Sequence, residues 1–459
     1  KAGAGTLALT GTNTYAGSSI AADGTLEIDG SVVGDAWSIT DSNAGTRGTI
    51  SGSGTIKGNL YNQGIAQPTA AGNLTVNGNL TSDGQLGLVT TNNGSVARQI
   101  AISGTANVDG SKLVAVEGNA YLPDQNYTFL TAKSINGSLA NKAGDSFSGL
   151  LSVKNITAGT TSASAVLTSE NNIGSLNPAQ QNAYQRLSEL EANTAGDAAK
   201  QQQLGKLLGL SSSHAGKALE AIGSNPGTAD LGAVTMNSTA VLSAIDARGS
   251  YLQGAAGGIG SAREEEVSKD SPIIPVELGT RGNGWLKFSK SWSRMSDGTT
   301  SGHGSTMTIG ADRAVRDNWK LGGFFSYGTR TFSGTGSNLQ NSDYRLGIYG
   351  IRNKGAHEAF VYADVGRQHN DGKRIFSVAD SYQADSHYQS SIMELGGRYS
   401  YDLDYGKDGW HKKPFVEGQV VRYNQDSYTE TGAGVWNQHV DQENVTYSAV
   451  TAGLGFTHA

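Results

Sequence analysis

A short unit recurs through the first part of the chain. Gly5-Thr-Leu-Ala-Leu9 returns as Gly24-Thr-Leu-Glu-Ile28. Looser copies are Gly54-Thr-Ile-Lys-Gly58, Gly72-Asn-Leu-Thr-Val76, Gly78-Asn-Leu80 and Gly84-Gln-Leu-Gly-Leu88. Each copy is a glycine turn followed by a short alternating strand, with Leu7 and Leu9 on one face and Thr6 and Ala8 on the other. One such unit cannot bury its apolar edge alone. Units at about 20-residue spacing can do so by stacking, which predicts a parallel β-helix with one continuous core. A sandwich of short hairpins is the competing arrangement. The strands read Gly-x-Leu-x-Leu rather than as paired hairpin arms, which favours the β-helix. Asn13 to Gly17 fits a corner between rung strands.

This pattern defines residues 1–120 as a solenoid stalk. Tyr127 to Leu130, Gly149 to Val153 and Ala163 to Thr168 are less repetitive and more apolar. A solenoid must hide its last rung, so residues 121–170 are expected to form a terminal cap. Residues 171–253 then read as helical. Asn177 can cap a helix whose first position is Pro178, with Tyr184, Leu187 and Leu190 at helical spacing. Further helices are expected near 200–210, 214–222 and 236–252, the last carrying Val241, Leu242, Ile245 and Leu252 on one face. The glycine stretch Gly254-Ala-Ala-Gly-Gly-Ile-Gly260 opens a segment, 254–281, able to thread a narrow channel in extended form.

Residues 282–459 read as strand throughout. Leu286, Phe288 and Trp292 alternate with polar neighbours. So do Met307, Ile309 and Ala311, then Leu321 to Tyr327, Tyr344 to Ile348, Val361 to Val365, and Met393 to Tyr401. About nine or ten strands of roughly 10–14 residues, apolar on one face and polar on the other, suit an antiparallel transmembrane β-barrel. Lys287, Asp312, Glu394, Arg398, Glu417 and Arg422 would line a wet lumen. Glu394 and Glu417 are further expected to pair with Arg398 and Arg422 across neighbouring strands. A soluble barrel would turn its apolar face inward instead.

Composition narrows the chemistry. The 459 residues hold 64 glycines, 7 prolines and no cysteine, with a net charge of −6. Without cysteine there are no disulfides, thiolate nucleophiles or zinc–thiolate sites, which suits a chain that crosses an oxidising compartment unfolded. No basic patch speaks for nucleic acid, and no run approaches the ~18 apolar residues of a spanning helix. His214 is the only histidine before residue 300. It reads as a solvated helix residue, and a Ser-His-Asp triad cannot be assembled within residues 1–213. His303, His357 and His439 are scattered. No metal, phosphate or cofactor motif is present, and no catalytic, cofactor-binding or metal-ligating residue is nominated.

A glycine-rich β-helix, a helical linker and an aromatic-rich barrel, in that order, resemble the type V autotransporters of Gram-negative bacteria. Gly5 to Gly17 followed by Gly24 to Ile28 looks like the passenger-associated transport repeat. Tyr127 to Leu130 is similar to the autochaperone cap, and Leu176 to Tyr184 to the linker. Gly282 to Lys287, Glu394 to Arg398 and Pro414 to Glu417 are similar to the barrel. The resemblance implies a right-handed β-helix and a twelve-strand barrel ending in an aromatic residue. With fewer strands legible and the end Phe456-Thr-His-Ala459, the chain is expected to be a fragment truncated at both ends.

The implied function is outer-membrane insertion, with export and surface display of an N-terminal passenger. That passenger would be adhesive, or a spacer for an upstream domain such as a subtilisin-like protease or esterase. The implied partners are outer-membrane lipid and lipopolysaccharide, the barrel-assembly machinery, periplasmic chaperones, and host or neighbouring-cell surfaces. The segment around Ile245, Gly254, Gly257, Gly258 and Gly260 would plug the pore after export. Some relatives cut the passenger free with a linker asparagine. Asn237 stands alone and Asn171-Asn172 lies too early, so no self-cleavage is expected. A plain porin-like channel is the remaining alternative.

Overall fold

The computed structural model describes residues 1–41, 45–91, 93–223, 227–256, 273–277, 283–294, 301–315, 318–334 and 336–458. It divides into two compact units, Lys1–Ser224 with Phe376–Ser381, and Asn225–Ile375 with Tyr382–Ala459.

In the first unit the strands fall into three parallel ladders. One runs through Thr6–Leu9, Thr25–Ile28, Thr49–Gly52, Ile65–Pro68, Gln85–Leu88 and Lys112–Ala115. The second runs from Ser19–Ala21 through Ala36–Ser38, Leu60–Asn62, Leu80–Ser82 and Thr105–Asn107 to Ser134–Asn136. The third takes Ser31–Val33, Thr55–Lys57, Leu74–Val76, Ile100–Ile102 and Asn126–Thr131. From Thr25 onward the chain visits the three in turn, so each rung is a three-sided coil of a parallel β-helix. Like stacks on like: Leu26 pairs with Leu7 and with Ile50. Leu26, Ile28, Ile50, Leu60, Leu74, Leu86 and Leu113 are buried, whereas Leu7, on the first rung, is exposed.

Rung spacing is held by side chains as well as backbone. The Asp35 carboxylate accepts from the Asn59 N–H (2.8 Å), the Asn59 Oδ1 from the Asn79 N–H (2.9 Å), and the Asn79 Oδ1 from the Thr105 N–H (2.8 Å). Inside, Ser38 Oγ donates to Asn62 Oδ1 at 2.5 Å, and Asn62 Nδ2 donates to Ser82 Oγ at 2.9 Å. Gly54 shows why the turns require glycine. A Cβ there would lie 2.1 Å from the Gly30 carbonyl oxygen of the preceding rung.

Parallel pairing continues to Asn136, past the stalk boundary expected at residue 120. The third ladder then changes direction. The hairpin Leu151–Ala158 and Ser162–Ser169 adds antiparallel to Asn126–Thr131. Tyr121 and Tyr127 are buried here. The Tyr127 hydroxyl donates to the Gly94 carbonyl at 2.7 Å, and burial raises its pKa to about 12. Four helices pack on this end: α1 (Pro178–Gln185), α2 (Leu187–Thr194), α3 (Ala198–Leu208) and α4 (Ser212–Gly223). The Asn177 carbonyl oxygen and the Gln180 side chain form the reciprocal cap of α1. The Tyr121 N–H donates to the Gly205 carbonyl at 3.0 Å, and the Gly149 N–H to the Leu210 carbonyl at 2.8 Å. These helices are therefore docked on the end of the solenoid rather than free linkers.

The second unit is a long helix, α5 (Gly227–Ala256), within a nine-stranded sheet. The strands follow chain order: Ile273–Glu277, Asn283–Arg294, Ser301–Ala314, Trp319–Gly334, Ser337–Lys354, His357–Val378, Asp380–Tyr401, Trp410–Gln425 and Glu443–His458. The strands His357–Val378 and Asp380–Tyr401 have 22 residues each, longer than the sequence suggested. Alternation sets the two faces apart. Phe288, Ile309, Leu346, Ile348, Val361, Val365, Met393, Leu395, Val450 and Phe456 are exposed on one face. Lys287, Asp312, Asp343, Arg345, Asp364 and Glu394 are buried on the other. A sheet that exposes its apolar face and buries charge requires an apolar solvent, and a bilayer supplies one.

Candidate functional site

The buried face of the sheet encloses α5. Val234 packs with Ile392, Val421, Tyr423 and Tyr447. Val241, Leu242, Ile245 and Leu252 pack among Trp285, Phe324, Tyr349, Ile351, Phe360 and Tyr362. Tyr447 lies on the last strand and Trp285 on the second, so the sheet wraps round the helix. This explains the mixed composition of α5. A helix contacted on every side has no solvent face to mark with charge. Small inward residues on the wall make room for aromatic rings. A Cβ on Gly310 would lie 2.4 Å from Trp285 ring carbons, and one on Gly396 2.6 Å from the Tyr362 ring.

Polar side chains pin the helix at successive levels. Near its start, Asn237 Nδ2 donates to Asn341 Oδ1 at 3.1 Å. One turn on, Arg345 donates to Ser238 Oγ (3.2 Å), Asp343 Oδ2 (2.9 Å), Asp364 Oδ1 (3.5 Å) and Glu394 Oε2 (2.5 Å). The Tyr362 hydroxyl donates to the other Glu394 oxygen at 2.5 Å. Lys287 donates to Ser243 Oγ at 2.8 Å and to its carbonyl at 3.0 Å. Arg398 meets Asp246 at 3.0 Å, lies 4.0 Å from Glu417, and covers the Phe415 ring at 3.7 Å. Nearest the helix end, Arg248 makes a two-bond fork with Asp312. Tyr349 donates to Asp312 Oδ2 at 2.7 Å, and Trp285 Nε1 donates to the Tyr349 hydroxyl at 2.6 Å.

Lys287, Asp312, Glu394, Arg398 and Glu417 are thus brought together on the enclosed face. Arg422 is not, which corrects the expectation. It follows the parity of exposed Val416 and Val420, opposite to buried Val421 and Tyr423, and points outward. Glu394 accordingly pairs with Arg345 rather than with either expected arginine, while Arg398 faces Glu417 directly across the ladder. The pore segment is also corrected. Ile245 is fully buried inside, but the filling element is the helix Gly227–Ala256, not an extended thread, and Gly254 belongs to that helix. Ile273–Glu277, expected within the thread, pairs with Asn283–Lys287 as an edge strand of the wall. Gly257, Gly258 and Gly260 lie outside the described residues.

Arg345, Asp343, Asp364, Asp246 and Arg248 were not anticipated. On the strand Ser337–Lys354 the signal was available, because Asp343 and Arg345 alternate with Tyr344 and Leu346. Among the described residues, no three His, Asp or Glu side chains are placed to share a metal ion. His214 is likewise not simply solvated: its Nδ1 lies 2.5 Å from Glu117 Oε1.

Residues 282–459 match the autotransporter beta-domain family, and residues 1–28 match the passenger-associated transport repeat. The chain is a type V autotransporter. The barrel of this autotransporter inserts in the outer membrane and exports an N-terminal passenger to the cell surface, and the β-domain is a translocator, not a catalytic domain. The autotransporter is 25% identical over 179 residues to Esterase EstA of Pseudomonas aeruginosa and to Esterase EstA of Pseudomonas putida. Each match covers 35% of this chain and 26% of the relative, so the chain spans about a quarter of the length of these relatives. Among solved structures it is similar to the translocator domain of NalP from Neisseria meningitidis (16% identity, 47% of this chain, 70% of that one, TM-score 0.34). It is also similar to the β-domain of BrkA from Bordetella (17%, 39% and 72%, TM-score 0.31).

Proposed function

We propose that α5 is the last exported stretch of the passenger, retained as a plug that closes the barrel and tethers the β-helix to it uncleaved. The observation that carries this is the set of attachments spread along the helix, from Ser238–Arg345 to Arg248–Asp312. Sliding α5 outward would break all of them together and leave buried charges unpaired. Asn237 supports retention. Its amide nitrogen is held by Asn341 within helical backbone, so it is not free to attack its own carbonyl. The β-helix serves as a surface spacer or an adhesive face, with outer-membrane lipid, the assembly machinery, periplasmic chaperones and other cell surfaces as its partners. Planar-bilayer recording tests the plug. The intact chain should conduct little, and deletion of residues 236–281 should open it. Equal conductance of the two proteins would favour a porin-like channel and overturn the plug.

A second reading concerns the whole protein. The partial likeness to the Pseudomonas esterases favours a passenger with a hydrolase domain upstream of residue 1. Ester hydrolysis by cells expressing the full reading frame, lost on removal of everything before Lys1, would support it. Hydrolysis unchanged by that removal would refute it.

A further inference from the structure

Three strands of the sheet carry a depression on their outward face. It has a volume of about 240 Å³ and is lined by Lys290, Trp292, His303, Ser305, Thr329 and Thr331, with Gly304 at its floor. The ladder register arranges these side chains in two rows. Lys290 pairs with Ser305 and Ser305 with Thr329; Trp292 pairs with His303 and His303 with Thr331. The next outward rows towards Asn283 are Phe288, Met307 and Tyr327, then Leu286, Ile309 and Phe325. The chemistry changes from apolar to cationic and hydroxylic between one row and the next. The Tyr327 and Tyr344 rings, 4.9 Å apart, stand at that boundary, as the aromatic girdle of a membrane barrel does.

The boundary belongs to the outer leaflet. The sheet end beyond Trp292 carries the longest connection, 426–442, with its own short strands Tyr428–Thr429 and His439–Val440. At the opposite end, 315–318 and 355–356 are short. Membrane barrels keep short turns on the periplasmic side and longer connections outside. The lipid of that leaflet is a phosphorylated glycolipid.

We propose that the depression binds the phosphorylated sugar headgroup of an outer-leaflet glycolipid. The proposal rests on the outer-membrane placement given above. Lys290 and His303 supply positive charge for the phosphate, through charge-assisted hydrogen bonds. Ser305, Thr329 and Thr331 supply hydroxyls for the sugar. Trp292, 72% exposed, offers a flat amphipathic ring at headgroup level. No carboxylate lines the depression, and among the described residues neither Lys290 nor His303 has an ion-pair partner. The apolar rows directly beneath fix where the acyl chains must run.

The test uses the full chain refolded in phosphatidylcholine vesicles containing bisphosphorylated lipid A, extracted in mild detergent and weighed by native mass spectrometry. The intact protein should retain lipid A. The double variant Lys290→Ala/His303→Ala should retain roughly tenfold less, Trp292→Ala should also retain less, and Lys290→Arg should retain it. Lys373→Ala, an outward lysine on another strand, should leave retention unchanged. Heat-modifiable migration of every variant separates loss of the site from loss of the barrel. Equal retention by the double variant and the intact protein would overturn the proposal. So would equal retention of dephosphorylated lipid A. Displacement of the lipid by inorganic phosphate would reassign the depression to soluble anions and overturn it as well.

Discussion

The guanidinium of Arg248 on α5 meets the carboxylate of Asp312 on the wall through two parallel hydrogen bonds, Nε to Oδ2 at 2.8 Å and Nη2 to Oδ1 at 3.0 Å. Both side chains are almost wholly buried. Asp312 also accepts from Tyr349, which is itself held by Trp285. The last turns of the helix are therefore fixed to three wall strands through one carboxylate. A pair of this kind adds little as net energy over an apolar isostere, but removing one partner strands the other charge. It specifies position more than it adds stability.

Replacing either partner should loosen the plug. Arg248→Ala leaves Asp312 with two neutral donors and no cation, at a cost of about 3–5 kcal/mol. The expected outcome is a barrel that still migrates as a folded, heat-modifiable species but shows frequent channel openings in a planar bilayer. Asp312→Asn should open it less often, because Tyr349 and Arg248 keep a hydrogen-bonding partner. Closed recordings from Arg248→Ala would mean that the apolar packing of Ile245 and Leu252 holds the helix alone.

The glycines facing aromatic rings should be the least replaceable wall residues. A Cβ on Gly310 would meet the Trp285 indole at 2.4 Å, so Gly310→Val must displace either the ring or the strand. Overpacking of this kind costs about 1–3 kcal/mol, occasionally more. Gly418 is the control, since its added Cβ would meet nothing nearer than 3.9 Å. The folded fraction after refolding into detergent should fall clearly for Gly310→Val and hardly change for Gly418→Ala.

The faces of the sheet were readable in advance because strand side chains alternate with period two. Leu346 and Ile348 on one parity imply Asp343 and Arg345 on the other. What misled was equating polar with lumenal. That rule holds only across the apolar belt. Beyond it the strands continue into headgroups and water, and there Arg422 stands outward as stably as inward. The helix was harder for a different reason. Its residues Ala233, Ser238, Ala240 and Ala244 are small and show no dominant apolar stripe, which reads as a linker. That mixture is what a helix needs when wall side chains approach from every side. In the solenoid, the Gly-x-Leu-x-Leu units marked the rungs, but the length of parallel pairing depended on Ser134–Asn136, which has no such unit.

Asn62 should be a hinge of stability for the β-helix. It accepts from Ser38 Oγ and donates to Ser82 Oγ and to the Gln85 carbonyl, all inside the solenoid. Asn62→Val fills similar space but leaves these groups unpaired, at about 1–3 kcal/mol for each one left buried without a partner. Urea unfolding followed through the stacked Trp37 and Tyr61 rings, 4.0 Å apart on the neighbouring face, should shift to a lower midpoint. Exposed Thr81→Val, one residue before Ser82, should leave the midpoint nearly unchanged.

Acid should loosen the helical end of the solenoid through Glu117. His214 on α4 is hydrogen-bonded to its carboxylate, and Ser211 donates to the same oxygen. The bond from His214 is the main reason the carboxyl titrates below its ordinary value, while burial opposes it weakly. A carboxyl with a lowered folded-state pKa stabilises the native state above its unfolded value, about 4.3. That contribution is lost as pH falls through the lower folded value. Both side chains are about half exposed, so the effect is small and salt-sensitive. Hydrogen exchange at the first turn of α4 should accelerate as pH is lowered below about 4.3, after correction for intrinsic exchange rates. Glu117→Gln should exchange faster at neutral pH and lose that acid dependence. An unchanged acid response in Glu117→Gln would assign the loosening to other carboxylates of the solenoid.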